Sequence, residues 1–563
     1  MTDHAALVRR SLSGPPEFDR RVREQGEGLA DALAAGAFDN DAATLGLELE
    51  VYAVDADDLS LAPIPEDVFE GPADKELGLH NAECNAAPSR FDEAGLAAQA
   101  EAVAADLTAT RERAREHGLE IVLDAMPAVA PAEGTVAYLD DVEVRQGEGP
   151  AETATGPVVP GPDPDDPVLV ARNMRRDPRY GALDNEAVRR AGGSIPFSVP
   201  GADLSFRTIL FESLATSIQP HVQVPDVSAF PRYHDLATRT LGPLVALAAN
   251  SPFLPGDCYD LDAAGLTPAE LVTETHHELR IAAFEQSMNQ ACRKVRVPDD
   301  LAEPTDAVGH VVADDTYAPF LREWVEDVPA DLDQVAEDGD AVAETADEPG
   351  ATDGDASTDG GDANTNDDTR DPWEFDYKRG TFWRWVRGVP GGDAVAGACD
   401  EQSLRIEYRP LPTQPTVRDV VGLQALTAGL LHGLVAADHP VADLPWEAAE
   451  VSFYAAAEDG LDADLAWVDA DGERTNDPEV IFGEVFEYAR RGLDEQGVPA
   501  AARDRYLSPI EARWERGVTP SAWKKDRVRA HLDDGLDLEG ALAAMQGEYV
   551  DLSRERETFV EWL

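Results

Sequence analysis

Apolar and polar residues alternate from Gly46 to Asp55 in the run GLELEVYAVD, and a period of two predicts a strand whose successive side chains face opposite ways. Leu47, Leu49 and Val51 then share a core face, and Glu48 and Glu50 lie together on the other. The same period recurs in SLRIEYRP from Ser403, with Arg405, Glu407 and Arg409 on one face and Leu404, Ile406 and Tyr408 behind them. It recurs in SIQPHVQVPD from Ser217 to Asp226, where Gln219, His221 and Gln223 form a wholly polar face. A further strand is predicted from Leu119. Helical patterning predicts helices over Phe18 to Ala35, Glu93 to His117, Asp203 to Thr216, Tyr233 to Asn250 and Val417 to Ala437, with mostly helical sequence onward to Leu563. The Gly-, Pro- and acid-rich stretch from Gly147 to Asp166 reads as a surface loop. No internal repeat is visible.

The pattern lapses from Asp331 to Thr369, which carries about fourteen acids, no basic residue and almost no large apolar side chain. That composition cannot bury enough apolar surface to offset the entropy of ordering, so it predicts disorder. Patterned sequence resumes on both sides. The expected organisation is one catalytic domain, 1–330 and 372–563, with a helical C-terminal part, interrupted by an acidic insert at 331–371.

Charge narrows the partners. Among 563 residues, 111 Asp and Glu stand against 46 Lys and Arg, a formal net charge of −65. Such a surface repels nucleic acid and anionic membranes. At about 1 M salt the Debye length contracts to roughly 3 Å and the self-repulsion largely disappears, so the composition reads as that of a halophile's protein. Cys84, Cys258, Cys292 and Cys399 show no CxxC spacing and are expected to be buried free thiols. With no apolar leader-like segment and no run of eighteen apolar residues, the expectation is a soluble, cytoplasmic chain acting on small molecules.

The polar strand faces carry the chemistry. Two bare carboxylates about 4 Å apart repel by roughly 1 to 4 kcal/mol, depending on the effective dielectric, unless a cation or a proton resolves the repulsion. A divalent metal is the simplest resolution for Glu48 and Glu50; a solvated edge strand is the plainer alternative. Arg405 and Arg409 offer planar forks that match phosphate oxygens, and for Arg405 an ion pair with Glu407 is an equal alternative. Lys378, Arg384 and Arg387, around FWRWVR, form a basic island in an acidic chain and point to an anionic ligand. Trp383 and Trp385 read as core or pocket wall. No GxxxxGK[ST] string occurs, so any phosphate site is built from side chains and metals.

The ordered set GLELEVYAVD, KELGLHNAECNAAPS, SIQPHVQVPD, PLVALAANSPFLPG, HHELRIAAFE, RGTFWRWVRG and SLRIEYRPLPTQPTVRD resembles the glutamate-cysteine ligase family 2 group of the glutamine synthetase-like superfamily. The resemblance implies an α+β fold, a curved, largely antiparallel sheet with the site on its concave face and helices packed on the outer face. It implies that Glu48, Glu50, Glu76, Glu83, His221 and Glu407 ligate magnesium or manganese ions that hold ATP phosphates. For Glu76 a surface role is an alternative, and for His221 a structural one. It further implies that Gln219 faces nucleotide, that Arg409 and Arg405 stabilise the transferring phosphoryl group, and that Arg179, Tyr180 and Arg280 lie near substrate. The implied reaction is ATP-dependent amide formation through an acyl phosphate on glutamate. Cysteine is the default amine, giving γ-glutamylcysteine, a thiol buffer related to glutathione chemistry. Another amine acceptor, or an inactive scaffold that binds nucleotide and metal, are the alternatives.

Overall fold

Residues 4–146, 156–295, 300–326 and 372–563 are described by a computed structural model. The acidic insert at 331–371 and part of the Gly147–Asp166 loop lie outside the described residues.

The alternating run at Gly46 folds as strand β1 (Thr44–Asp55), whose Leu47, Leu49 and Val51 are buried. Its neighbours are β2 (Asp74–Lys75), β3 (Asn81–Arg90) and β4 (Leu119–Val122). Two hairpins follow outside the main sheet, β5 (Val142–Gln146) with β6 (Pro167–Ala171) and β7 (Ile195–Val199) with β8 (Ala202–Phe206). Strands β9 (Ile218–Gln223), β10 (Val386–Pro390) and β11 (Leu404–Tyr408) complete the main sheet, whose order is β10-β11-β9-β1-β3-β2 with β4 paired to the second half of β1. Every pairing is antiparallel. A small pair, β12 (Trp467–Val468) and β13 (Arg474–Thr475), lies apart. The class is α+β, a curled antiparallel sheet covered by helices.

Register brings the polar positions together. Glu48 stands opposite Gln219 on β9 and Asn85 on β3, Glu50 opposite Glu83, and Glu407 opposite His221. Four strands, β1, β3, β9 and β11, therefore present their polar side chains on one face of adjacent rungs.

The helix Val417–Ala436 packs behind the sheet. Among the described residues it alone is long and apolar enough to cross a membrane, and it is a buried core helix. Gln424 on it donates to the carbonyl of Gly46 on β1 (3.0 Å). Against its outer side lies helix Pro478–Glu495, close enough that a Cβ at Gly433 would overlap the Tyr488 carbonyl oxygen. Thr416 caps the core helix through the Asp419 amide, and Asp419 is fully buried in an ion pair with Arg513 (2.9 Å). The basic stretch from Trp523 to Arg529 makes contacts inside the molecule: Lys524 pairs with buried Asp124, and Lys525 donates to the Thr275 carbonyl.

Several element predictions are corrected. Asp203 to Thr216 is not a helix. The Pro200-Gly201 pair, with Gly201 at φ +79°, turns the chain into the β7–β8 hairpin, and the remainder is one 3-10 turn, Leu210–Leu214. The helix predicted from Tyr233 is two, Phe230–Arg239 and Leu241–Ala248, because Pro243 has no N–H for the Arg239 carbonyl. Of the cysteines, Cys84 and Cys258 are buried, whereas Cys292 and Cys399 are half-buried; all four are free.

Candidate active site

A cavity of about 1070 Å³ opens on the polar face of the sheet. Its floor carries Glu48, Glu50, Glu83, Gln219, His221, Arg405, Glu407 and Arg409, and its sides include Glu76, Arg179 and Tyr180. Twelve of the fifteen residues singled out in the sequence thus line one cavity once Arg387 is counted. Lys378, Arg384 and Arg280 do not.

The acids fall into two groups. Ligand atoms of Glu50, Glu76 and Glu83 lie within 4.8 Å of one another, as do those of Glu48, His221 and Glu407. In the first group, Glu50 accepts from the Ser217 amide (2.7 Å) and from Gln219 Nε2 (3.0 Å), and Glu76 accepts from the Leu77 amide (2.8 Å) and the Tyr180 hydroxyl (3.3 Å). Burial raises the Glu50 carboxyl despite Arg280 and Arg409. Burial, together with the charge of Glu50, pushes Glu76 up to about 7. These carboxyls are crowded and undercompensated by the protein, and hard oxygen donors in such a cluster fit a divalent cation such as magnesium or manganese.

The second group is differently balanced. Glu407 is buried and would be raised by that burial, but Arg409, Arg387, His221 and Arg379 hold it well below the usual carboxylate range. Arg409 donates to it through Nη1, with Arg387 at 3.4 Å and Arg379 at 3.5 Å. His221 Nε2 is 3.0 Å from Glu48 Oε1, while Arg405 Nε donates to its Nδ1 (2.9 Å). An imidazole that accepts at Nδ1 carries its neutral-state proton on Nε2, which lies near Glu48 without hydrogen-bonding to it; ligation through Nε2 needs that proton moved and Arg405 turned aside. The donor set can hold a cation beside Glu48, in a setting richer in positive charge than the first group.

The arginines form a second functional layer. Arg409 stacks over the Trp383 ring, 4.6 Å to its centroid, and its Nε is buried without a hydrogen-bond partner. Arg387 Nε is likewise unpartnered, and burial followed by the charge of Arg409 lowers its guanidinium to about 9. Three cations around one acid leave positive potential on the cavity wall, which suits phosphate oxygens. Arg280 sits beneath this wall: it is buried, donates to the Arg409 carbonyl (2.9 Å) and packs on Phe284 and Trp385. It supports the backbone of Arg409 from outside the cavity.

The basic island resolves by geometry. Helix Trp373–Thr381 directs Trp373, Asp376, Tyr377 and Gly380 at the cavity, the spacing of one helical face, with Arg379 at its edge. Lys378 lies on the opposite face and donates to the Val312 carbonyl (3.0 Å). Arg384 points away from Trp383, pairs with Asp314 and lines a separate small cavity. Arg379 is the cation this helix brings to the cavity, and its place three residues after Asp376, beside the Trp373, Asp376, Tyr377, Gly380 face, is the sequence signal for it. Arg179 reaches the cavity wall while held by Asp177 (2.6 Å), the N-cap of its helix. Glu212, also on the wall, belongs to the stretch read as a helix and had no visible signal.

The cavity on the curled antiparallel sheet thus combines two carboxylate-rich groups with an arginine wall, donor types that suit divalent cations and phosphate oxygens. The chain belongs to the glutamate-cysteine ligase family 2, whose model matches residues 44–552, and the family is one of ATP-dependent ligases. Comparison with curated protein sequences finds no match. Similar solved structures include a glutamate-cysteine ligase of Francisella tularensis in complex with AMP, at 12% identity and TM-score 0.46 over 92% of this chain and 90% of that one. A bifunctional glutathione synthetase of Pasteurella multocida is similar at 14% identity and TM-score 0.44, over 95% of this chain and 55% of that one.

Proposed function

We propose that this protein joins the γ-carboxylate of glutamate to an amine in an ATP-dependent reaction, with cysteine as the acceptor and γ-glutamylcysteine as the product. The observation that carries the reading is the placement of both acidic groups and the Arg409, Arg387, Arg379 set on one cavity wall. Glutamate γ-carboxylate oxygen attacks the γ-phosphorus of ATP, ADP leaves, and the amine nitrogen then attacks the acyl phosphate carbon and expels phosphate. Glu50, Glu76 and Glu83, and on the other side Glu48 with His221 and Glu407, would hold the divalent cations. Those cations supply charge neutralisation for the phosphate oxygens.

The chain's own residues do the rest. Arg409 and Arg387 have unpartnered Nε atoms and guanidinium groups aimed along the wall, so they stabilise charge that grows on the transferring phosphoryl group. Trp383 fixes the plane of Arg409, and Arg280 fixes its backbone. Gln219, tied to Glu50, keeps Oε1 free toward the nucleotide side. The net charge of −65 supports a halophilic, haloarchaeal-type enzyme working in the cytoplasm. The test is magnesium-dependent phosphate release from ATP in high-salt buffer, with glutamate present and cysteine or other amines added singly. Cysteine-stimulated release with γ-glutamylcysteine identified by mass is the expected result. Stimulation by a different amine moves the assignment to a sister ligase, and no turnover with any amine overturns it.

A further inference from the structure

Most deeply buried acids in this protein are tied down. Glu50 accepts from Ser217 and Gln219, Glu278 from Ser251 and the Asn250 amide, and Glu374 from Gln25 and Arg21. Glu212 differs. It sits on the Leu210–Leu214 turn that leads into β9, is only 6% exposed and lines the cavity, yet its Oε1 is buried with no hydrogen-bond partner. The cation that bears on it most is Lys294, but Lys294 Nζ is also buried without a hydrogen-bond partner, so the two do not bond to each other. A buried carboxyl left in this state costs stability unless something else satisfies it.

The surroundings say what that could be. Leu183, Ile209, Phe284 and Met288 line the same cavity as Glu212, as do Tyr180 and the adjoining Ser213. Glu212 belongs to neither of the two carboxylate groups whose ligand atoms converge. A ligand that brings positive charge and N–H donors on a partly apolar body would satisfy it, which is the description of an ammonium group on a carbon skeleton. Burial, with the charges of Asp184 and Glu76, pushes the Glu212 carboxyl up to about 8 against the pull of Lys294 and Arg409, so near neutral pH the unliganded group is largely protonated and an ammonium beside it favours the charged form.

We propose that Glu212 is the counter-ion for a substrate ammonium group, and thereby selects amine-bearing substrates in this cavity. The inference rests on the ligase reading, in which two substrates carry such a group: glutamate at its α-carbon, and the amine acceptor before it gives up its proton. The shared chemistry is the ammonium; the experiment separates the sources.

Glu212→Gln keeps the shape and cannot take on the negative charge that an ammonium would favour. Wild type and variant are compared in high-salt buffer by initial rates against glutamate, cysteine and ATP, and by the rise in melting temperature with glutamate, glutarate, cysteine or 3-mercaptopropionate, the second and fourth being the deaminated forms. The expected result is a KM raised roughly tenfold or more for one amine-bearing substrate, which names the source, with the KM for ATP unchanged. The wild-type preference for that substrate over its deaminated form should disappear in the variant. Unchanged KM values, or an equal rise for ATP, overturn the proposal. If the wild type shows no amine-dependent turnover, the ligase reading fails by itself. The melting shifts still decide Glu212: a preference for amines lost in the variant upholds the proposal, and no preference in the wild type overturns it. The unliganded variant should melt no lower than wild type. A lower melting temperature with unaltered substrate preference would make Glu212 a structural partner of Lys294 and overturn the proposal.

Discussion

At the scale of single residues, the two acidic groups look alike in sequence and differ in physics. Glu50 is crowded by Glu76 and Glu83 and raised by burial, so its negative charge is a burden to the unliganded fold. Glu407 is the acid that Arg409, Arg387 and Arg379 share, so its charge holds three cations together, with Asp376 as a second partner of Arg379 alone. Neutral isosteres should therefore act in opposite directions on stability while both abolish turnover. Glu50→Gln is expected to leave the unfolding midpoint unchanged or higher in metal-free buffer. Glu407→Gln strands buried guanidinium groups and should cost on the order of 3 kcal/mol. Denaturant unfolding of both variants, alongside phosphate release, checks this; a Glu407→Gln protein as stable as wild type would mean that the arginine cluster needs no anion.

At the scale of elements, helices approach one another only as closely as their side chains allow. The core helix Val417–Ala436 and helix Pro478–Glu495 meet through glycine: a Cβ on Gly433 would overlap the Tyr488 carbonyl, and one on Gly492 would overlap the Gly429 carbonyl. Gly433→Ala should separate the two helices and cost on the order of 3 kcal/mol, well beyond any gain in helix propensity from alanine. Guanidinium unfolding measures it; a loss under about 0.5 kcal/mol would show that the pair can slide apart freely. What the sequence disclosed follows the same logic. Period-two alternation in β1, β9 and β11 was visible because one face is core and the other is polar, so Glu48, Glu50, His221 and Glu407 could be placed on a shared surface before any register was known. Lys378 and Arg379 adjoin in sequence, and only helical phase, fixed by packing of Trp373 and Tyr377, decides which reaches the site. Glu212 was hidden because Pro200-Gly201 turn chemistry overrode an apolar spacing that resembles a helix.

At the scale of the whole molecule, charge is the dominant feature, and it bears on conditions more than on catalysis. A net −65 spread over one chain repels itself over about 10 Å at 0.1 M salt and over roughly 3 Å at 1 M. Internal ion pairs such as Arg513 with Asp419 and Lys524 with Asp124 are fully buried and escape that screening, so added salt weakens the repulsion without weakening them. Stability should therefore climb steeply with KCl between 0.1 and 1 M. The acidic stretch Asp331 to Thr369 carries about fourteen of those negative charges. Replacing it with a short Gly/Ser linker should move the salt midpoint for folding to lower KCl while leaving ATP turnover at high salt in place. Thermal melts across a KCl series, paired with phosphate release, read both effects. An unchanged salt midpoint would locate the destabilising repulsion in the folded body alone, and lost turnover at full stability would give the stretch a part in the reaction, since Arg322, Val325, Pro372 and Trp373, on either side of it, line the cavity.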